Sequence, residues 1–273
     1  MSLHRQDGPH EPALLQRASR GLALLMRSSS RQPRAVPALE PIFAAVLAGE
    51  KEVTRVLRSA PRAAQTQVSR DVLVTSIPHW LYVGDTPLHL AAAALQPEVA
   101  KILLQSGADP NAENRRGATP LHYACDARPR SGGIWDPAAQ AAIIDVLVEH
   151  GAHLDRGDRG GTTPLHRAVR ARSVAAVRTL VGLGARTDRR LRTRGSTPLH
   201  LAAQSTGASR TAGSLHQQLE IIGLLREHGA DPAALDTSNR TPRERARNER
   251  VSEALSLRPR TTPGSERSGR HKR

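Results

Sequence analysis

Cysteine, lysine and aromatic residues are nearly missing from this chain, and each shortage excludes something. Cys125 is the single cysteine among 273 residues, so neither an intrachain disulfide nor a cysteine-rich zinc module can form, and a reducing, cytoplasmic setting is expected. Aromatics make up 2 % of the chain (Phe43, Trp80, Tyr82, Tyr123 and Trp135). That is thin for one globular core, but adequate for stacked small helices filled by Ala, Leu, Val and Ile. No apolar run approaches the roughly 18 residues that span a bilayer, so no membrane partner is expected. The stretch Leu14–Met26 is broken by Arg17 and Arg20 and makes a poor secretory signal. It is Arg- and Ser-rich without acid between Pro12 and Leu39, which leaves a transit peptide or an amphipathic capping helix as readings. No His-Glu-x-x-His, Walker-type or Gly-x-Gly-x-x-Gly element occurs, and no catalytic residue or cofactor can be named.

Positive charge, by contrast, is plentiful. The net charge is +15, and all but Lys51, Lys101 and Lys272 of the 40 basic residues are arginine. Residues 156–194 alone hold eleven arginines against Asp158 and Asp188. The basicity of the core is therefore local.

Thr-Pro-Leu-His recurs at 86–89, 119–122, 163–166 and 197–200, followed by a degenerate Thr241-Pro242. The threonines are spaced 33, 44, 34 and 44 residues apart. The extra residues of the longer units fall near 128–137 and 206–216, where Gly, Pro, Ser and Arg cluster. The motif has a mechanical meaning. Thr suits a helix N-cap, and Pro at the first helical position gives up no needed donor. Leu-His-x-Ala then begins a short helix whose alanines permit close stacking. A second helix, such as Glu98–Gln105, carries Val99, Ile102, Leu103 and Leu104 at core spacing. Gly107, Gly151, Gly184 and Gly229 stand where a helix wants a left-handed residue past its end. Gly84, Gly117, Gly161, Gly195 and Asn239, each two residues before a threonine, occupy a turn position wanting positive φ.

On these residues the chain resembles the ankyrin-repeat family, an all-α repeat solenoid of β-turn fingers and paired antiparallel helices. About four regular repeats cover 86–232. A degenerate first repeat (Pro41–Ala60) and a polar last one (Thr241–Leu257) flank them, as solenoid ends should. The arginine bias and compact arrangement are similar to stand-alone bacterial members. The expected organisation is a flexible or partly helical segment 1–39, a repeat domain 40–257 and a disordered basic tail 258–273. The resemblance implies a protein-binding scaffold or adaptor, monomeric, whose fingers and first helices line a concave groove. Position by position this places Tyr82, Val83, Arg115, Arg116, Arg159, Gly160, Thr193, Arg194, Thr237 and Ser238 at finger tips. Asp85, Ala118, Thr162, Ser196 and Arg240 follow the turns, and the first helices add Ala93, Asp126, Arg170 and Gln204. It also implies that His89, His122, His166 and His200 tie neighbouring repeats together rather than bind metal. Cys125 is expected in the core, and the His150/His153 pair at a helix end rather than at a metal.

The finger at 185–196 has one residue more than the others and crowds Arg186, Arg189, Arg190, Arg192 and Arg194 into a short loop. Guanidinium forks contact carboxylate and phosphate bidentately, so an acidic protein partner is expected, with a solvated loop as the plain alternative. In 62–83, Leu73 and Val74 are expected to cap the first repeat, while Trp80 and Tyr82 are either capping or a partner hot spot. Trp135 is expected to pack on its own insert. The competing function is polyanion or nucleic-acid binding through 186–194 and the basic tails. The distance of Trp80 and Tyr82 from that loop stands against it.

Overall fold

The computed structural model describes residues 40–77, 79–126, 136–204 and 214–256. The expectations for residues 1–39, for Trp135, for most of both inserts and for the tail lie outside them. Twelve α-helices occur among the described residues: α1 Pro41–Ala48, α2 Glu50–Ser59, α3 Pro87–Ala93, α4 Pro97–Gln105, α5 Pro120–Asp126, α6 Pro137–Glu149, α7 Pro164–Ala171, α8 Val174–Gly182, α9 Pro198–Ala203, α10 Ser214–Glu227, α11 Pro242–Arg245 and α12 Glu249–Ser256. They form two layers. First helices stack as α1–α3–α5–α7–α9–α11, and second helices as α2–α4–α6–α8–α10–α12. The core between them is aliphatic, with Leu88, Leu103, Leu121, Ile143, Leu147, Leu165 and Leu180 fully buried. Each such side chain contributes roughly 1.5–3 kcal/mol through burial. Small residues on the first helices (Ala91, Ala92, Ala124, Ala168, Ala202) are fully buried as well and let neighbouring repeats approach closely.

The repeat motif does three jobs at once. Thr86, Thr163, Thr197 and Thr241 sit in extended backbone before their helices and form reciprocal caps with the residue three positions on. In the first three of these repeats that residue is histidine, whose Nδ1 accepts from the threonine amide at 3.1–3.3 Å. Its Nε2 then donates to a backbone carbonyl of the next finger. These bonds run from His89 to Ala118 at 3.1 Å, His122 to Thr162 at 2.8 Å, His166 to Ser196 at 3.3 Å and His200 to Arg240 at 3.0 Å. One nitrogen accepts and the other donates, so the ring must be neutral. Burial, which strips water from the charged form, lowers the pKa of all four, to about 3 for His122 and about 4 for His166.

All nine glycine and asparagine positions read as turns or helix ends adopt positive φ, from +53° at Asn239 to +91° at Gly184. Two further residues do so without glycine: Leu95 (φ +54°) and Arg172 (φ +59°), at the tight turns between helices of the two short repeats. The long repeats use a buried glutamine instead. Gln140 donates to the Ala124 carbonyl at the end of α5 (2.8 Å), and Gln218 donates to Ala202 at the end of α9 (2.7 Å). Each caps the first helix from beyond its insert.

The segment after α2 forms a 3₁₀ turn, Pro61–Gln65, against α2 and α3, with Ala64 and Val68 buried. It then makes a hairpin of β1 (Val72–Val74) and β2 (His79–Leu81), paired Val72–Leu81, Leu73–Trp80 and Val74–His79. The expectation for Leu73 needs correction. Val74 is buried, but Leu73 is 43 % exposed beside Trp80. Adjacent strand residues point to opposite faces, so Leu73 and Val74 cannot both cap. Leu81 takes the buried place instead.

Two outcomes test this scaffold. Gly117 has φ +73°, and an added Cβ would meet the Arg159 amide nitrogen at 3.1 Å. Gly117→Val should cost about 2 kcal/mol, lowering the thermal midpoint by roughly 5 °C. An unchanged melt would refute the turn register. The second concerns pH. The folded-state pKa of the buried imidazoles lies below the unfolded value of 6.5, so stability is complete above about pH 6.5. It then declines as pH falls toward about 4 and 3, the values of His166 and His122. Denaturant midpoints between pH 7 and 5 should show a loss approaching about 1.4 kcal/mol per pH unit for each such histidine.

Candidate partner-binding site

The second, third and fifth fingers share one construction. Asn114, Asp158 and Asp236 stand at the base of their turns, and each side chain accepts two backbone amides of its own loop. The bonds are to Arg116 and Ala118 at 2.8 and 3.1 Å, to Gly160 and Thr162 at 2.9 Å each, and to Ser238 and Arg240 at 2.7 and 3.2 Å. Each also meets a side chain nine residues on: Tyr123 at 3.0 Å, Arg167 at 3.3 Å and Arg245 at 2.6 Å. The fourth finger has Leu191 in that place. Its turn carries the extra residue, with the Leu191 amide bonded to Ser196 and the Gly195 amide to Leu191.

Successive fingers are joined by single backbone hydrogen bonds. Arg115 donates to Val83 (2.8 Å), Arg159 to Arg116 (3.0 Å), Arg192 to Gly160 (2.9 Å) and Thr237 to Arg194 (3.0 Å). Three donors lie directly over the preceding turn glycine. An added Cβ at Gly117, Gly161 or Gly195 would meet the backbone nitrogen of Arg159, Arg192 or Thr237 at 3.0–3.1 Å. Arg115, Arg159 and Arg192 therefore occupy one row, one per finger, with Thr237 next.

The arginines expected to bind a partner divide into engaged and free. Arg115 pairs with Asp71, and Arg186 with Asp188 at 2.8 Å. Arg116 lies over the Tyr82 ring, its guanidinium carbon 3.9 Å from the centroid, with Arg115 at 5.6 Å. Tyr82 is half-buried beneath them, so its ring face is already occupied. Arg190 needs correction as a free fork. It donates to the carbonyls of Gly195 and Leu235 and ties its own finger to the next repeat. Arg159, Arg170, Arg189, Arg192 and Arg194 are exposed, and among the described residues no carboxylate is bonded to them. Asp85 also needs correction as a surface residue. It is fully buried, accepting from Tyr123 Oη (2.6 Å), the Tyr82 amide (2.6 Å) and Asn114 (2.9 Å). Trp80 remains 50 % exposed.

Arg159, Arg189 and Arg192 line a shallow depression of about 590 Å³ between the third and fourth fingers. Its acids are hydrogen-bonded within the protein. Glu113 takes Arg156 (2.7 Å), Asp155 takes the Arg186 amide (2.9 Å), and Asp158 takes its own loop and Arg167. Partial burial pushes the Asp158 carboxyl up, but the Thr162 amide and Arg167 outweigh it and hold the pKa below the usual range. The depression thus presents cationic heads toward solvent and suits an anion. Cys125 is fully buried and its thiol pKa is pushed up by burial.

Arg172 escaped the sequence reading. Buried to 8 % exposure, it donates to the Ala202 and Gln204 carbonyls at the end of α9. Burial lowers its pKa to about 10, leaving it charged against the negative end of that helix. Gln140 and Gln218, aligned across the two long repeats, were a readable signal for the helix ends. Arg172 gave none. Arg190→Ala should cost about 1 kcal/mol by removing its bridge, whereas Arg192→Ala should stay within about 0.5 kcal/mol. Paired denaturation curves check this, and equal losses would refute the division.

The sequence profile of ankyrin repeats (3 copies) matches residues 42–134, 114–191 and 138–236. NF-kappa-B inhibitor alpha of Sus scrofa is 56 % identical over 41 residues, covering 15 % of this chain and 13 % of that protein. Neurogenic locus notch homolog protein 4 of Homo sapiens is 52 % identical over 52 residues, 18 % of this chain and 3 % of that protein. B-cell lymphoma 3 protein homolog of Mus musculus is 44 % identical over 43 residues, 16 % of this chain and 10 % of that protein. The chain thus matches only a small fraction of each curated relative's length. With the profile matching most of the chain, and with the four regular repeats sharing the same threonine–histidine cap and imidazole bridge, this protein belongs to the ankyrin-repeat family, whose repeats mediate protein–protein interaction.

Proposed function

We propose that this protein is a non-enzymatic adaptor that binds an acidic segment of a protein partner on its finger face, in the cytoplasm. The observation that carries this reading is the depression between the third and fourth fingers. There Arg159, Arg189 and Arg192 are exposed, while Glu113, Asp155 and Asp158 are all engaged within the protein. Arginine in such a setting binds carboxylates through two parallel bonds. Arg194 and Arg170 extend the basic face, and Trp80 with the Arg116–Tyr82 stack adds an apolar contact toward the first finger. The name NF-kappa-B inhibitor alpha, borne by a relative, describes action on another protein and supports a binding role.

The test is affinity capture from nuclease-treated lysate. It compares the wild type with a variant carrying Arg159→Glu, Arg189→Glu and Arg192→Glu, after a melt shows the variant folded. Retention of a protein by the wild type alone supports the reading. Equal retention overturns it, and loss of all ligand on nuclease treatment points to nucleic acid instead.

A further inference from the structure

We infer that the acidic segment binds as a polyproline-II helix bearing two carboxylates three residues apart, one for the third finger and one for the fourth. This rests on the acidic-partner reading above and adds to it a conformation and a spacing. Arg159 and Arg192 are equivalent positions of adjacent fingers. Each amide donates to the preceding finger, and an added Cβ on the preceding turn glycine would touch the arginine Cγ, at 3.3 Å for Arg159 over Gly117 and 2.9 Å for Arg192 over Gly161. Backbone and first side-chain carbons of both arginines are therefore placed by the scaffold, and only their heads are free. A preorganised pair of cations selects for spacing as well as for charge.

That spacing follows from the hydrogen bonding. Each finger has two limbs bonded to one another, as in Asp158 to Thr162, and each is bonded to the next finger, as in Arg192 to Gly160. Neighbouring fingers are thus two strand spacings apart, about 9.5 Å. The first helices beneath them, α5, α7 and α9, pack directly on one another, which gives about 8–10 Å independently. A polyproline-II segment rises about 9.3 Å in the three residues of one turn and returns a side chain to the same face. An extended strand returns to one face every two residues, about 6.7 Å, or four residues, about 13 Å. An α-helix does so at about 6 Å or about 10.5 Å. Of these forms only the polyproline-II turn matches both estimates. On the far side Thr237 takes the row position, and on the near side Arg115 is paired with Asp71. The free row is therefore two cations long, and the partner needs carboxylates at i and i+3.

Fluorescein-labelled peptides of a single composition, glutamate in a proline-rich background, test this against the full chain by fluorescence anisotropy. Glutamates are placed three apart in one peptide, and two or four apart in its permutations. The three-spaced peptide should bind about tenfold more tightly, the worth of one lost charge-assisted contact. Arg192→Thr, the residue the next finger uses, and Arg159→Ser should each reduce it to the level of the permutations, with unchanged melting midpoints. Equal affinity for every spacing, with binding still lost in the arginine variants, overturns the spacing and leaves the acidic-partner reading standing. No binding by any peptide, or equal binding by wild type and variants, overturns both. Preference for an oligonucleotide of matched charge also overturns both.

Discussion

A neutral imidazole from each regular repeat reaches the finger that follows it, and the placement of the second to fifth fingers depends on it. One ring nitrogen accepts from the threonine that starts its own helix, and the other donates to the backbone of the next finger. Each bond is modest, about 1 kcal/mol net, but losing it strands a buried amide and a buried carbonyl at about 1–3 kcal/mol apiece. The arrangement works only while the ring is dry and uncharged. The alanine-lined packing of the first helices is what keeps it so. Core, cap and finger register are therefore one coupled system.

The fourth finger departs locally from that system. Asp158 and Asp236 serve two purposes, closing a turn and neutralising Arg167 or Arg245. In the fourth finger Leu191 replaces the acid, and the partner position on the helix is Leu201 rather than arginine. The finger loses its side-chain cap and lengthens by one residue, and its Arg189, Arg192 and Arg194 are exposed. Arg190 stands in for part of the missing restraint by reaching the carbonyls of Gly195 and Leu235.

Repeat length alternates without disturbing the stack. The two short repeats turn tightly through Leu95 and Arg172 in left-handed backbone, a conformation that costs about 1 kcal/mol in a residue with a side chain. The two long ones hold the end of the first helix with Gln140 or Gln218, so the residues between the helices need not make the turn. Ser173 adds a cross-repeat tie, donating to Gln140 at 2.6 Å.

The repeat period, the capped helices and the positive-φ turns were legible in the sequence, because each follows from local sterics or from a pattern repeated four times; the role of the motif histidines followed from the family resemblance that this pattern carries. The side-chain fates were not. Arg189 and Arg190 are neighbours of one type, yet one head points to open solvent and the other to carbonyls 5 and 45 residues away. Asp85 looks like a surface acid until Tyr123 and Asn114 close over it. Leu73 and Val74 differ only in which face of a short hairpin they share. Local geometry determined the frame on which the fingers stand. Which charges that frame leaves unpaired was decided only in three dimensions, because pairing joins groups that the chain itself holds far apart.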